Sequence, residues 1–227
     1  MDFIFEPPQR VTLPVEGTDA VFPVRRVFCV GRNYAAHTRE MGHDPDREPP
    51  FFFCKPADAV ATGPSIPYPP QTSDMHFEIE LVAAIGKGGS DIPIADALSH
   101  VFGYGVGIDL TRRDLQGEAK KLGRPWDWGK GFDNSAPMSG LKPVSQTGHP
   151  ETGRVWLSLD GDMRQDGDLS EMIWPLPDII SLISQSMRLE AGDLIMTGTP
   201  AGVGAVRPGQ TLKGGVEGVG EIEVSIT

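Results

Sequence analysis

The stretch His76-Phe77-Glu78-Ile79-Glu80-Leu81-Val82 sets the reading of the chain. In an extended strand successive side chains point to opposite faces, so Phe77, Ile79 and Leu81 share one face and Glu78 and Glu80 the other. Two carboxylates side by side disfavour each other's ionised form, so that face is either fully solvated or holds a cation. Further on, Asp109 closes the segment Val101-Phe102-Gly103-Tyr104-Gly105-Val106-Gly107-Ile108, whose alternating glycines fit a strand approached closely by another backbone. Glu78, Glu80 and Asp109 are read as a divalent-metal site. The plainer alternatives are a wet strand face for the glutamates and, for Asp109 or Thr111, the cap of a helix expected over 111–122.

The 227 residues are enough for one large domain with a substantial core. With 28 glycines and 21 prolines the composition stays below that of low-complexity chains and suits a turn-rich β protein. A formal net charge of −11 opposes nucleic acid and anionic membranes as partners, because both need a basic footprint. Cys29 and Cys54, the two cysteines, lie in apolar runs and read as buried thiols in a reducing compartment. The first residues have neither a basic lead nor a continuous apolar run, and no run approaches a membrane span, so a cytoplasmic protein is expected.

Residues 1–24, with four prolines, read as an irregular lead-in with at most one short strand, ahead of a single catalytic domain over 25–227. A first strand is expected over 24–30, then a short helix over 34–41 that places His37 and Glu40 three apart on one face. A carboxylate beside an imidazole orients it and raises its basicity, as a general base for water requires. Phe51-Phe52-Phe53 demands burial on both faces or against a partner subunit, and Lys55 at the end of that run reads as a lysine snorkelling over apolar surface or, as the alternative, a cation aimed at substrate. Arg112, Arg113, Lys120, Lys121, Arg124 and Lys130 form a basic island in an acidic chain, suited to offsetting the global charge for an anionic substrate. Asp160-Gly161 signals a hairpin, 178–187 a helix, and 192–197 a buried strand. That strand leads into Gly198-Thr199-Pro200-Ala201-Gly202-Val203-Gly204, which lacks the Gly-Lys-Ser/Thr of a phosphate loop but could present N–H groups and a hydroxyl to a carboxylate.

In this order, several marks resemble the fumarylacetoacetate hydrolase superfamily: Val30-Gly31-Arg32-Asn33-Tyr34 with His37 and Glu40, Phe53-Cys54-Lys55-Pro56, Glu78-Ile79-Glu80-Leu81, and Gly107-Ile108-Asp109. Arg112-Arg113-Asp114-Leu115-Gln116, Lys130-Gly131-Phe132-Asp133 and the 198–204 loop complete the likeness, which runs from about Val27 to Ile226. The stretches 49–59, 123–126 and 168–174 look closest to bacterial fumarylpyruvate hydrolases of gentisate breakdown. The resemblance implies a mainly β, mixed β-sandwich roll with a few short helices, a homodimer, and Mg²⁺ or Mn²⁺ at Glu78, Glu80 and Asp109. Some larger relatives add a fourth metal carboxylate seven residues before the catalytic histidine; here that position is Val30.

The chemistry expected from the resemblance is carbon–carbon hydrolysis of a 2,4-dioxo acid, with fumarylpyruvate giving fumarate and pyruvate. His37, oriented by Glu40, would deprotonate the attacking water; Lys130 and Gln116 would stabilise the oxyanion; Arg32, Arg113 and Thr199 would grip the substrate's carboxylates. An acylpyruvase, an oxaloacetate decarboxylase and a 2-hydroxyhepta-2,4-diene-1,7-dioate isomerase are the alternatives, since each passes through an enolate. A metal- or ligand-binding module without catalysis stands outside them.

Overall fold

In the computed structural model, which describes residues 3–40 and 49–227, the strand Ile79–Ile85 is buried at every position. Such a strand must be covered on both faces. It lies third in a six-stranded mixed sheet ordered Lys142–Pro143, Val101–Ile108, Ile79–Ile85, Asp193–Met196, Arg26–Gly31 and Phe51–Lys55. Every pairing is antiparallel except that of Asp193–Met196 with Arg26–Gly31. A second sheet of five strands runs Asp162–Asp168, Arg154–Leu159, Thr211–Val216, Gly220–Ile226 and Ser65–Ile66.

The period-2 alternation sorts the central strand between two cores. Ile79, Leu81, Ala83 and Ile85 pack with Val155, Leu157, Leu212, Ile222 and Val224 of the five-stranded sheet. Val82 and Ala84 face the other way, into a cluster with Leu13, Val15, Phe22, Val27, Cys29, Met138 and Leu141. The structure is therefore the mainly β sandwich that the resemblance implies, with only short helices at its margins. The alternating glycines act as expected, since a Cβ on Gly103 would lie 2.5 Å from the Lys142 carbonyl oxygen. The Asp160-Gly161 turn has positive φ at both residues and joins the hairpin strands Arg154–Leu159 and Asp162–Asp168.

Several expectations change. Within the lead-in there are two short strands in place of one, since Thr12–Pro14 pairs with Val21–Pro23, and Leu13 and Phe22 are buried in the same cluster as Val27 and Cys29. Phe51, Phe52 and Phe53 sit on the edge strand with none of them fully buried, and Cys54 on the same strand is exposed rather than a buried thiol. The helix expected over 111–122 begins at Arg113. Thr111–Arg112 is instead a short strand paired with Met75–Phe77, and the helix lacks a side-chain cap, so Asp109 is left for other work. The short helix after the first strand spans Ala35–Glu40, and its expected end at 41–42 lies outside the described residues. No helix among the described residues is long and apolar enough to cross a membrane.

One end of the large sheet collects every element of the site. Register places Ile79 opposite Ile108, Val82 opposite Met196, and Met196 opposite Cys29. The segments entering or leaving at Glu78, Asp109, Thr197 and Gly31 therefore emerge together. Glu78 stands where the chain leaves the small sheet of Met75–Phe77 and enters the large one.

Candidate active site

At that end, ligand oxygens of Glu78, Glu80 and Asp109 lie within 4.8 Å of one another. All three residues are buried, so the wet-face alternative fails. Backbone geometry locks the arrangement, because the Asp109 N–H donates to the Glu78 carbonyl at 2.8 Å and the Thr197 N–H to that of Leu81 at 3.1 Å. The Gly198 N–H then donates to Glu80 Oε2 at 2.7 Å. Gly198 has φ +97°, and a Cβ there would meet Cβ of Asn33 at 2.7 Å, so only glycine brings this N–H so close.

Two side chains that the sequence reading left without a role hold this frame. Gln165 is fully buried within an otherwise polar, exposed strand; its Oε1 accepts from the Ile79 N–H at 3.0 Å, and its Nε2 donates to Thr199 Oγ1 at 2.7 Å and the Pro200 carbonyl at 2.9 Å. It ties the 198–204 loop to the glutamate strand. Asn33, also fully buried, donates to the carbonyls of Thr197 at 2.8 Å and Trp174 at 3.0 Å and accepts from the Trp174 N–H at 2.8 Å. The turn carrying Arg32, which has φ +60°, is thus fixed to the same strand end as Gly198.

Three cations face the three carboxylates. Lys130 Nζ donates to Glu78 Oε2 at 2.7 Å, Asp109 Oδ2 at 2.6 Å and Thr111 Oγ1 at 2.7 Å, which uses all three N–H bonds of its ammonium. Arg113 bonds Glu78 Oε1 through Nη2 and Gln116 Oε1 through Nη1, the latter at 2.7 Å. Lys55 is the larger surprise: its side chain is wholly buried, Nζ lies 2.8 Å from Asp109 Oδ1, and it donates to the carbonyls of Leu110 and Lys130. It belongs to the cluster and does not snorkel over surface.

The charges are unequally satisfied. Burial alone would raise the pKa of Glu78, but Lys130 and Arg113 outweigh it and hold the carboxyl below the usual range. Glu80 goes the other way, pushed well up by burial and then by the negative charges of Asp109 and Glu78. For Lys130, the neighbouring Asp109 and Glu78 more than offset burial and raise its pKa. Glu80 is the buried carboxylate with no lysine or arginine paired to it among the described residues, although it sits against two others. Three oxygen ligands of this kind suit a hard divalent cation.

His37 is buried on the wall of the same pocket, shared with Val30, Arg32, Phe53, Arg113, Gln116, Lys120, Trp126, Lys130 and Thr199. Burial depresses its pKa more than Glu78 and Glu40 raise it, which keeps the ring neutral. Nδ1 stands 3.5 Å from Glu40 Oε2, an ion-pair distance longer than a good hydrogen bond, and Glu40 in turn accepts from the Gly202 N–H at 3.2 Å. Thus the pocket gathers Arg32, His37, Glu78, Glu80, Asp109, Arg113, Gln116, Lys130 and Thr199, with half-exposed Glu40 behind His37. Of the basic island, Arg112 is directed elsewhere, over the Phe132 ring at 4.4 Å, and Lys121 and Arg124 are exposed outside the pocket.

A β sandwich with three buried carboxylates at one sheet end, faced by lysines and a neutral histidine, defines an enzyme fold class that comparison identifies. Residues 26–227 match the fumarylacetoacetate (FAA) hydrolase C-terminal family, and the chain belongs to that family. Over 100% of this chain and 99% of the other, it is 53% identical, with a TM-score of 0.98, to the crystal structure of fumarylpyruvate hydrolase from Pseudomonas aeruginosa in complex with Mn²⁺ and pyruvate. Among curated relatives, the mitochondrial oxaloacetate decarboxylase of Dictyostelium discoideum is 44% identical, covering 86% of this chain and 90% of its own. A mitochondrial oxaloacetate tautomerase of Oryza sativa subsp. japonica is 40% identical, covering 88% and 90%.

Proposed function

We propose that the protein is a divalent-metal-dependent hydrolase that cleaves fumarylpyruvate to fumarate and pyruvate. The observation that carries this reading is the placement of a buried His37 on the wall of the pocket that holds Glu78, Glu80 and Asp109. Full-length similarity to a fumarylpyruvate hydrolase, whose crystal structure contains Mn²⁺ and pyruvate, supports both the substrate and the metal class.

Glu78, Glu80 and Asp109 would hold Mg²⁺ or Mn²⁺. When bound, the cation supplies Lewis acidity to the oxygens of the 2-oxo acid and takes over the counter-charge role that Lys130 fills for Glu78 and Asp109. His37 removes a proton from water as the water oxygen adds to the 4-carbonyl carbon, and Glu40 stabilises the imidazolium that forms. Lys130 and the amide NH₂ of Gln116, whose Oε1 is taken by Arg113, are the donors for the resulting oxyanion. The bond between C3 and C4 then breaks; C4 becomes the new carboxylate of fumarate, and C3 leaves with the electron pair as the enolate of pyruvate and takes up a proton. Overall, one water is consumed and one proton released per fumarylpyruvate dianion. Arg113 and Thr199 lie at the carboxylate cluster, suited to the 2-oxo acid end, and a homodimer is the expected assembly.

Oxaloacetate chemistry is the second reading, favoured by the decarboxylase and tautomerase among the relatives. Initial rates with Mn²⁺ on fumarylpyruvate and oxaloacetate separate the two. We expect kcat/KM to be higher for fumarylpyruvate by about two orders of magnitude. The second carboxylate of the four-carbon oxaloacetate lies too near its 2-oxo end to reach a cation placed for the far carboxylate of the longer acid, which is then left unpaired. Equal or greater efficiency on oxaloacetate would transfer the assignment to the second reading.

A further inference from the structure

The helix Arg113–Leu122 presents Arg113, Gln116 and Lys120 to the pocket, positions i, i+3 and i+7 of one face. Arg113 contacts Glu78 at the carboxylate cluster, and at 1.5 Å per residue Lys120 stands roughly 10 Å further along the axis. There the half-buried ammonium lies 5.0 Å over the ring of Trp126, which packs against Phe51 and Phe53 with ring centroids 4.7 and 5.9 Å away. Phe53 and Trp126 also line the pocket, and Arg32 does so from the turn after the strand Arg26–Gly31. The outer end of the site is thus an aromatic wall with cations beside it, in a chain whose net charge is −11.

We infer that Lys120, with Arg32 beside it and Trp126 and Phe53 as the wall, forms a subsite for the distal carboxylate of an extended, planar unsaturated diacid. Resting on the hydrolase reading for its substrate, this subsite selects a seven-carbon 2,4-dioxo diacid over shorter 2-oxo acids. The flat conjugated segment between the 4-carbonyl and the far carboxylate fits against aromatic faces, and the far carboxylate meets a cation. Burial, then the charges of Arg113 and Arg32, lower the Lys120 pKa to about 8. Neither Lys120 nor Trp126 contacts the metal carboxylates in the structure, so the subsite governs selection and leaves the bond-breaking machinery to others.

The test compares the Mn²⁺-loaded wild type with Lys120→Met and Lys120→Arg on fumarylpyruvate and on acetylpyruvate, which lacks the far carboxylate. Lys120→Met is expected to lower the ratio of kcat/KM for fumarylpyruvate over acetylpyruvate by roughly 10- to 100-fold, the worth of a hydrogen bond to a charged group, mainly through KM. Lys120→Arg should recover most of that ratio. Parallel losses on both substrates, or no loss on either, would overturn the subsite. If the wild type hydrolyses neither substrate, the hydrolase reading fails, and fumarate titrated against tryptophan fluorescence decides the subsite separately. Saturable quenching that weakens in Lys120→Met supports it, and identical or absent quenching in both proteins overturns it.

Discussion

His37→Ala is expected to lower kcat by roughly 10²- to 10⁴-fold, the usual contribution of a positioned general base, while Mn²⁺ binding stays close to that of the wild type. The ring is buried on the pocket wall, and its depressed pKa leaves the neutral, proton-accepting form in place at neutral pH. The sign of the pH effect follows. A base with a lowered pKa stays active as pH falls through the ordinary histidine value of about 6.5, so the acid limb of kcat/KM should lie below that point. Glu40 opposes the shift, so Glu40→Ala should move the limb further to acid and lower kcat by less than His37→Ala does. Turnover by His37→Ala within a few-fold of wild type would remove His37 from the reaction.

Glu80→Gln is expected to weaken Mn²⁺ binding by on the order of 100-fold or more, above the 10- to 100-fold typical of groups that only support ligands. The change is nearly isosteric and keeps an oxygen to accept from the Gly198 N–H, so the loop and strand should hold their places. It also replaces a carboxyl whose ionised form is disfavoured by burial and by the charges of Asp109 and Glu78 with a neutral amide. The metal-free variant should therefore melt no lower than metal-free wild type, while the rise in Tm that saturating Mn²⁺ gives the wild type largely disappears. A metal-free variant that melts well below wild type, with Mn²⁺ affinity retained, would make Glu80 a structural residue.

Both expectations rest on residues legible in the sequence, because period-2 alternation around Glu78 and Glu80 and helical spacing of His37 and Glu40 are local signals. The β-rich character was legible for the same reason, as the alternation of Ile79, Leu81 and their neighbours is a local signal, whereas the sandwich itself came from the family resemblance. What escaped depends on contacts far apart in the chain. Lys55 is indistinguishable from a surface lysine until strand pairing puts it beside Asp109. Gln165 lies in a polar strand whose residues otherwise face solvent, and only the fold reveals that it joins Ile79 to Thr199 and Pro200. The triple phenylalanine is not buried on both faces within the chain, since Phe51 and Phe53 meet Trp126 at a sheet edge beside the pocket, a contact that local sequence does not reveal. Arg112 and Lys120 read alike as members of one basic island. The helix turns Lys120 into the pocket and leaves Arg112 over Phe132.

The most direct measurement follows the ultraviolet absorbance of fumarylpyruvate with the purified protein while fumarate and pyruvate are quantified, first with Mn²⁺, then with EDTA, then with Mn²⁺ restored. The account predicts loss of absorbance matched by equimolar fumarate and pyruvate, abolished by the chelator and recovered with the metal. Absorbance that persists in the presence of Mn²⁺, or that falls equally in EDTA, would contradict it.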